Sequence, residues 1–433
     1  MRLLYTLAWW LALPLVLARL WLRGRREPGY RQHWAERLGL YGKAATSSAA
    51  PVLWVHAVSV GETRAAEPLV NALLAEYPHG RIVLTHMTPT GRDTGRTLFA
   101  RHGARLVQAY LPYDTGLMVS GFIRHFKPSV CILMETEVWP NLIATCGRRG
   151  VPVVLANARL SQRSLGKAQR LGALIRAAAQ GITLVAAQTE ADAARVRSLG
   201  VPRVEVTGSI KFDVVVPPAA LAVGATLRAA IGARPVLLCA STRDGEEALV
   251  LEAFRRDRAA LPAKTLLLIV PRHPQRFDDV EKMIGWQGLN VQRRSTLEPS
   301  ASLAAHIDVM LGDTMGEMFA YYDVCDVAFV GGSLLPLGGQ NLIEPAALGK
   351  PVLIGPHTFN FELVTQEAVA AGGAMRVADA PELMAQAASL LNDMEARSAM
   401  GARALAFASQ HRGATVRTLV LLQPLLRSTA GDQ

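Results

Sequence analysis

The sequence predicts two α/β halves in tandem, each built on a parallel sheet, behind an apolar N-terminal helix. Three observations carry this. Short apolar runs recur between longer amphipathic stretches, which is the βαβ rhythm. That rhythm breaks once, over 211–235, where Pro217, Pro218 and an Ala-rich stretch replace it, and then restarts. The first tenth of the chain is apolar and then basic.

Length and composition set the frame. At about 150 residues per domain, 433 residues make two or three domains, each able to bury a core. Half the residues are apolar and 19% are charged, and 36 Gly with 24 Pro is ordinary usage, so disorder and low complexity are excluded. Cys131, Cys146, Cys239 and Cys325 form no CxxC pair, which removes a zinc ribbon or a disulfide framework and fits a reducing compartment.

Lys plus Arg outnumber Asp plus Glu by 46 to 35, an excess that calls for an anionic partner. Its location narrows the choice: residues 1–43 hold eight basic side chains against Glu27 and Glu36, so +6 of the formal +11 lies there. Leu3 to Ala18 is apolar apart from Thr6, and Leu20, Trp21 and Leu22 extend it past Arg19, close to the ~20 residues that span a bilayer. The run either crosses the membrane or lies in one leaflet; the alternative is a buried core helix. An Arg-rich flank follows it instead of a cleavage site, as in an uncleaved signal anchor, and the positive-inside rule keeps that flank and the rest of the chain cytoplasmic. Anionic lipid is the expected surface. A nucleic-acid partner is not expected, because no face interleaves basic and aromatic residues.

In the first half, Val52–Val55, Ile82–Leu84, Val130–Met134, Val153–Ala156 and Leu184–Ala187 read as buried strands. In the second, Val236–Cys239, Leu266–Val270, Val309–Leu311, Val327–Val330 and Val352–Ile354 do so, and 380–426 reads as helical. The expected division is an anchor with basic flank at 1–26, a domain at 27–210, a linker at 211–235 and a domain at 236–426 that includes the C-terminal helices. A cleft between two such halves is the usual place for a small-molecule site.

Polar groups sit at the strand ends. Glu62, in His56-Ala57-Val58-Ser59-Val60-Gly61-Glu62-Thr63, follows the first strand and opens a helix, where it serves either as a general base or as a helix cap. Glu135 and Glu137 follow the third strand before Trp139-Pro140; unpaired charge there is costly, so a role, a solvated turn or a metal-binding pair are the alternatives. Lys211, in Gly208-Ser209-Ile210-Lys211-Phe212-Asp213, is either a surface residue or projects into the cleft.

The second half offers anion chemistry. Arg272 stands on the stiff Pro271-Arg272-His273-Pro274 turn, where a guanidinium engages phosphate. Gly312 to Glu317 opens a helix with free N–H groups, and Gly338-Gly339-Gln340-Asn341-Leu342-Ile343-Glu344-Pro345 places a helix start near Asn341 with Glu344 placed to accept ribose hydroxyls. This half is expected to bind a nucleotide. No GxxxxGK[ST], strand-linked GxGxxG or DxD is present, which removes P-loop and dinucleotide sites and favours a donor with one phosphate held without metal.

Together with Ala156-Asn157-Ala158-Arg159-Leu160-Ser161 and Pro356-His357-Thr358-Phe359-Asn360-Phe361, these motifs resemble the 3-deoxy-D-manno-octulosonic acid (Kdo) transferases of Gram-negative lipopolysaccharide synthesis. The resemblance implies a GT-B fold, two Rossmann-like domains facing a cleft, the first binding acceptor and the second the CMP-sugar. It implies transfer of Kdo from CMP-Kdo to a lipid A precursor, lipid IVA, with inversion, at the cytoplasmic face of the inner membrane, without cofactor or metal. By motif, Glu62 is the implied base and Glu135 and Lys211 the transition-state stabilisers. Pro271, Arg272, Met315, Gly316, Glu317, Asn341, Leu342, Ile343 and Glu344 are the implied CMP contacts, Leu342 and Ile343 through their backbones.

Overall fold

The apolar runs become parallel strands in a computed structural model that describes residues 1–42, 50–298 and 301–428. Two units form: Met1–Asp213 with the segment from Arg412 onward, and Val214–His411.

In the first unit, β1 (Val52–His56), β2 (Arg81–His86), β3 (Leu106–Tyr110), β4 (Val130–Met134), β5 (Val153–Ala158), β6 (Leu184–Ala187) and β7 (Val204–Val206) pair in the order β3-β2-β1-β4-β5-β6-β7. All pairs are parallel. Helices cover both faces of such a sheet, so its central strands read as continuous apolar runs, and every residue of β4 is buried. Strand order reverses between β1 and β4, and a crevice opens beyond the carboxyl ends of strands at such a switch point.

The second unit repeats the plan with β8 (Val236–Thr242), β9 (Leu266–Pro271), β10 (Val291–Arg293), β11 (Val309–Leu311), β12 (Val327–Val330), β13 (Val352–Ile354) and β14 (Ala374–Arg376). Their order is β10-β11-β9-β8-β12-β13-β14, with the switch between β8 and β12. Each apolar run expected as a strand is one. The strands that the apolar pattern did not show, β3, β7, β10 and β14, are the four sheet edges, where partial exposure lets polar residues in.

The structure divides the chain differently from the sequence expectation at two places. The stretch 211–235 is not a free linker. Ile210–Phe212 forms a 3-10 turn whose Ile210 and Phe212 are buried in the first unit, and the Ala-rich segment folds as the helix Pro218–Ile231 of the second. Leu227 and Ile231 of that helix pack with Tyr321 and Tyr322, and a Cβ at Gly224 would lie 2.4 Å from Asp323, so the small residues serve close helix packing.

The last helix, Ala414–Ser428, belongs to the first unit, not to the second half. Ala414, Leu422 and Leu426 enter the core formed by Leu69, Val70 and Leu73, and Asp213 caps the helix by accepting the N–H groups of Gly413 and Thr415.

Leu422→Ala should therefore destabilise the first unit by about 2–5 kcal/mol, the cost of a buried cavity. Hydrogen exchange should show lost protection in Glu67–Glu76 and unchanged protection in β8 and β9. Loss confined to the second unit would contradict this packing.

Candidate active site

In the first unit, chemistry gathers at the carboxyl ends of β1 and β4. Glu62 lies in the short helix Val60–Ala65 just beyond β1, and its Oε2 accepts the Val58 N–H at 2.7 Å. This bond ties down the chain ahead of the helix, since Val58 precedes the N-cap Ser59, and it occupies one of two carboxylate oxygens. Burial pushes the Glu62 carboxyl up to about 7, with the charges of Glu137 and Glu135 adding to the rise and the Val58 N–H and Lys211 opposing it. The imidazoles nearby do not share this range. Burial drives His56 down to about 3 and His86 down to about 4, so both stay neutral.

Glu135 is the first residue beyond β4 and adopts φ +57, a left-handed conformation that costs a non-glycine residue roughly 1 kcal/mol or more. Its N–H is tied to the Ala156 carbonyl at 2.9 Å, and its Oε1 lies 2.9 Å from Lys211 Nζ. The lysine is set by the 3-10 turn around it: the Ile210 N–H donates to Asn157 Oδ1 at 3.1 Å. Asn157 is fully buried, with φ +55, where the β5–β6 register shifts. Glu137 is raised by burial and by Glu135. Beside Glu135 an apolar crevice is lined by Val138, Leu155, Leu160, Ile175, Val196 and Leu199.

The second unit carries a cationic cluster at the ends of β8 and β9. The Arg272 N–H donates to the Thr242 carbonyl at 2.8 Å, fixing the turn after β9, with Pro271 buried behind it. His273 is lowered by desolvation and then by Arg272, Arg243 and Arg276, which places three guanidinium groups around one turn. Arg276 is engaged by Asp244 at 2.8 Å and Glu247 at 3.2 Å.

A glycine-rich loop follows β12, and a buried carboxylate shapes it. Glu246, with no exposed surface, accepts four backbone N–H groups: Arg243 at 2.9 Å, Gly332 at 2.6 Å, Ser333 at 2.9 Å and Leu334 at 2.9 Å. It thereby clamps the loop after β12 to the loop after β8. Gly338 has φ +96, and a Cβ there would sit 2.2 Å from Asn360 Nδ2, so glycine is required.

The helix after this loop differs from expectation. It runs Ile343–Ala347, five residues, and Asn341 Oδ1 already accepts the Ile343 N–H at 3.0 Å while Asn341 Nδ2 reaches Glu344 Oε1 at 3.1 Å. That end does not aim a long helix dipole at a phosphate. Leu342 and Ile343 are fully buried, so their side chains belong to the core of the unit. Met315 and Gly316 stand on an exposed turn, but the Glu317 carboxylate is committed to Arg294 at 3.2 Å and Thr314 at 2.6 Å.

Sequence reasoning missed Asn157, Arg243 and Glu246 as site-building residues. The signal available was a buried strand ending in Asn157, and an acidic pair, Glu246-Glu247, opening a helix after Gly245; such acids read as ordinary helix caps.

Two tandem parallel α/β units with polar groups collected at strand carboxyl ends define the GT-B architecture. The fold is shared with the crystal structure of UDP-GlcNAc 2-epimerase from Neisseria meningitidis, at TM-score 0.56 over 86% of this chain and all of that one, with 17% identity. A profile of the 3-deoxy-D-manno-octulosonic-acid transferase (kdotransferase) family matches residues 32–214. The 3-deoxy-D-manno-octulosonic acid transferase of Bordetella pertussis is 47% identical over 98% of this chain and 99% of its own length. That of Haemophilus influenzae is 39% identical over 98% of this chain and 99% of its own. The chain belongs to this family, the Kdo transferases, glycosyltransferases of lipopolysaccharide synthesis.

The pKa of Glu62 gives a stability signature. A folded value of about 7, above the ordinary 4.5, means that ionisation costs folding energy, so the stability present below pH 4.5 is lost as pH rises through 7. Glu62→Gln should then melt at or above the wild-type temperature at pH 8, the gap closing as pH falls toward 4.5. A variant that melts lower at pH 8 would make Glu62 a structural cap.

Proposed function

We propose that the protein is an inverting transferase that moves Kdo from CMP-Kdo to lipid IVA at the cytoplasmic face of the inner membrane, with Glu62 as general base. The observation that carries this is the half-buried Glu62 carboxyl just beyond β1, held by the Val58 N–H and pushed up to about 7 by burial, in a unit whose β4 end carries the Lys211–Glu135 pair. An acceptor hydroxyl attacks the anomeric carbon of Kdo, its proton passes to Glu62, and the bond to the phosphate oxygen breaks as CMP leaves. A single displacement of this kind inverts the anomeric centre. A base poised near the operating pH combines an ionised population with a useful driving force for proton transfer. Glu135 and Lys211 stabilise charge in the transition state.

The donor is held by the second unit. Arg272 and Arg243 meet the one phosphate, and the turns at Pro271, Met315–Glu317 and Asn341–Glu344 supply the remaining CMP contacts, Leu342 and Ile343 by backbone. Two cations facing a leaving monophosphate make a bridging metal unnecessary. The helix Arg2–Arg23, which by length and composition can cross a membrane, fits attachment where a lipid acceptor resides.

Turnover of CMP-Kdo with tetra-acylated lipid A precursor tests the reading by mass spectrometry of the product. Glu62→Gln should bind CMP normally and turn over at least ~100-fold more slowly. In the wild type, kcat/KM should fall tenfold per unit below about pH 7, following the Glu62 carboxyl. Near wild-type turnover of Glu62→Gln would remove the base.

Arg272→Ala should cost about 2–3 kcal/mol in kcat/KM, with only part restored by lysine, and EDTA should leave activity intact. Activity abolished by EDTA and restored by Mg²⁺ would contradict the metal-free reading.

A further inference from the structure

The N-terminal helix has two apolar faces with different fates. Tyr5, Thr6, Trp9, Leu13, Val16, Leu17 and Leu20 recur at helical spacing and face the first unit. The Tyr5 hydroxyl donates to Asp114 Oδ2 at 2.9 Å, Thr6 pairs with Asn141 at 2.9 Å, and Trp9 stacks on Tyr113 with ring centroids 5.6 Å apart. Trp9, Leu13, Val16, Leu17 and Leu20 join Tyr30, Tyr113 and Met118 in one cluster. The contacts therefore run from the first turn to the last.

The opposite face holds Leu3, Leu7, Trp10, Leu11, Leu15 and Leu22, all exposed, and no charged residue occurs between Arg2 and Arg19. A helix docked on a soluble body ordinarily turns a polar face to water. Here that face is as apolar as the docked one, and it ends in cations: Arg25 and Arg31 stack on the exposed Trp21 ring at 5.0 and 4.6 Å.

We propose that the helix remains docked along the first unit and lies in the plane of one anionic leaflet, its Leu3–Leu22 face in the acyl boundary and its arginines among the headgroup phosphates. This rests on the membrane reading above and specifies its geometry. Twenty-two residues at ~1.5 Å each make a rod about as long as the ~30 Å hydrocarbon core, so a spanning helix would carry Tyr5 to the far side of the bilayer. Asp114 cannot follow it. It is buried at 1% exposure and also accepts the N–H groups of Asn141 and Leu142, which start the helix after Glu137 and Trp139. An in-plane helix needs only ~5–10 Å of penetration and keeps every one of these contacts.

The four native cysteines are buried, so single cysteines introduced in the full chain label selectively. Leu3→Cys, Leu11→Cys and Leu22→Cys lie on the exposed face and would each carry an NBD fluorophore. Flotation with vesicles of phosphatidylethanolamine and phosphatidylglycerol tests binding, and quenching by lipids spin-labelled at shallow or deep positions reads depth. The expected result is co-flotation, with the same shallow-weighted quenching ratio at all three sites. Co-flotation with Leu11 deep and the other two shallow would overturn the in-plane geometry and leave membrane attachment standing. Absence of co-flotation would overturn attachment itself. An NBD shift without lipid, accompanied by dimer mass in light scattering, would assign the face to a second copy of the chain.

Discussion

The ion pair between Lys211 and Glu135 joins two distant stretches of chain at the first unit's site. Three carboxylates, Glu62, Glu135 and Glu137, crowd the ends of β1 and β4, and the Glu135 and Glu137 charges both push Glu62 upward. Burial does most to bring Glu62 up to about 7; the Val58 N–H opposes the rise most strongly, and Lys211, 2.9 Å from Glu135, opposes it as well. The scaffold is arranged to keep the lysine there: a left-handed Asn157 at the β5–β6 register shift grips the turn that carries it, and a left-handed Glu135 turns the carboxylate to meet it.

The second unit solves the converse problem. The donor site proposed there needs cations and exposed N–H groups, yet loops rich in glycine have no intrinsic shape. Glu246, fully buried, supplies the shape by accepting four backbone N–H groups from two loops. Arg243 and Arg272 stand on the two turns at the ends of β8 and β9 beside this clamp.

Legibility in the sequence follows burial. Central strands were visible because both their faces are apolar, whereas β3, β7, β10 and β14 are edges and lack a continuous apolar run. The residues at strand ends were visible by position, and the structure brings Glu135 and Lys211 into contact although 76 positions separate them. Partners could not be read in this way: Glu246 and Ser333, or Asp213 and Thr415, are adjacent only through the tertiary fold. For the same reason the C-terminal helix was assignable as a helix but not to its unit, since its apolar periodicity is compatible with either core.

Direct titration of Glu62 tests most sharply whether this arrangement makes a base. Carboxyl ¹³C shifts of protein labelled at glutamate, assigned by difference with Glu62→Gln, should show a midpoint near 7 that moves to higher pH in Lys211→Met. A midpoint near the ordinary 4.5, insensitive to Lys211, would contradict the coupling on which the site is built.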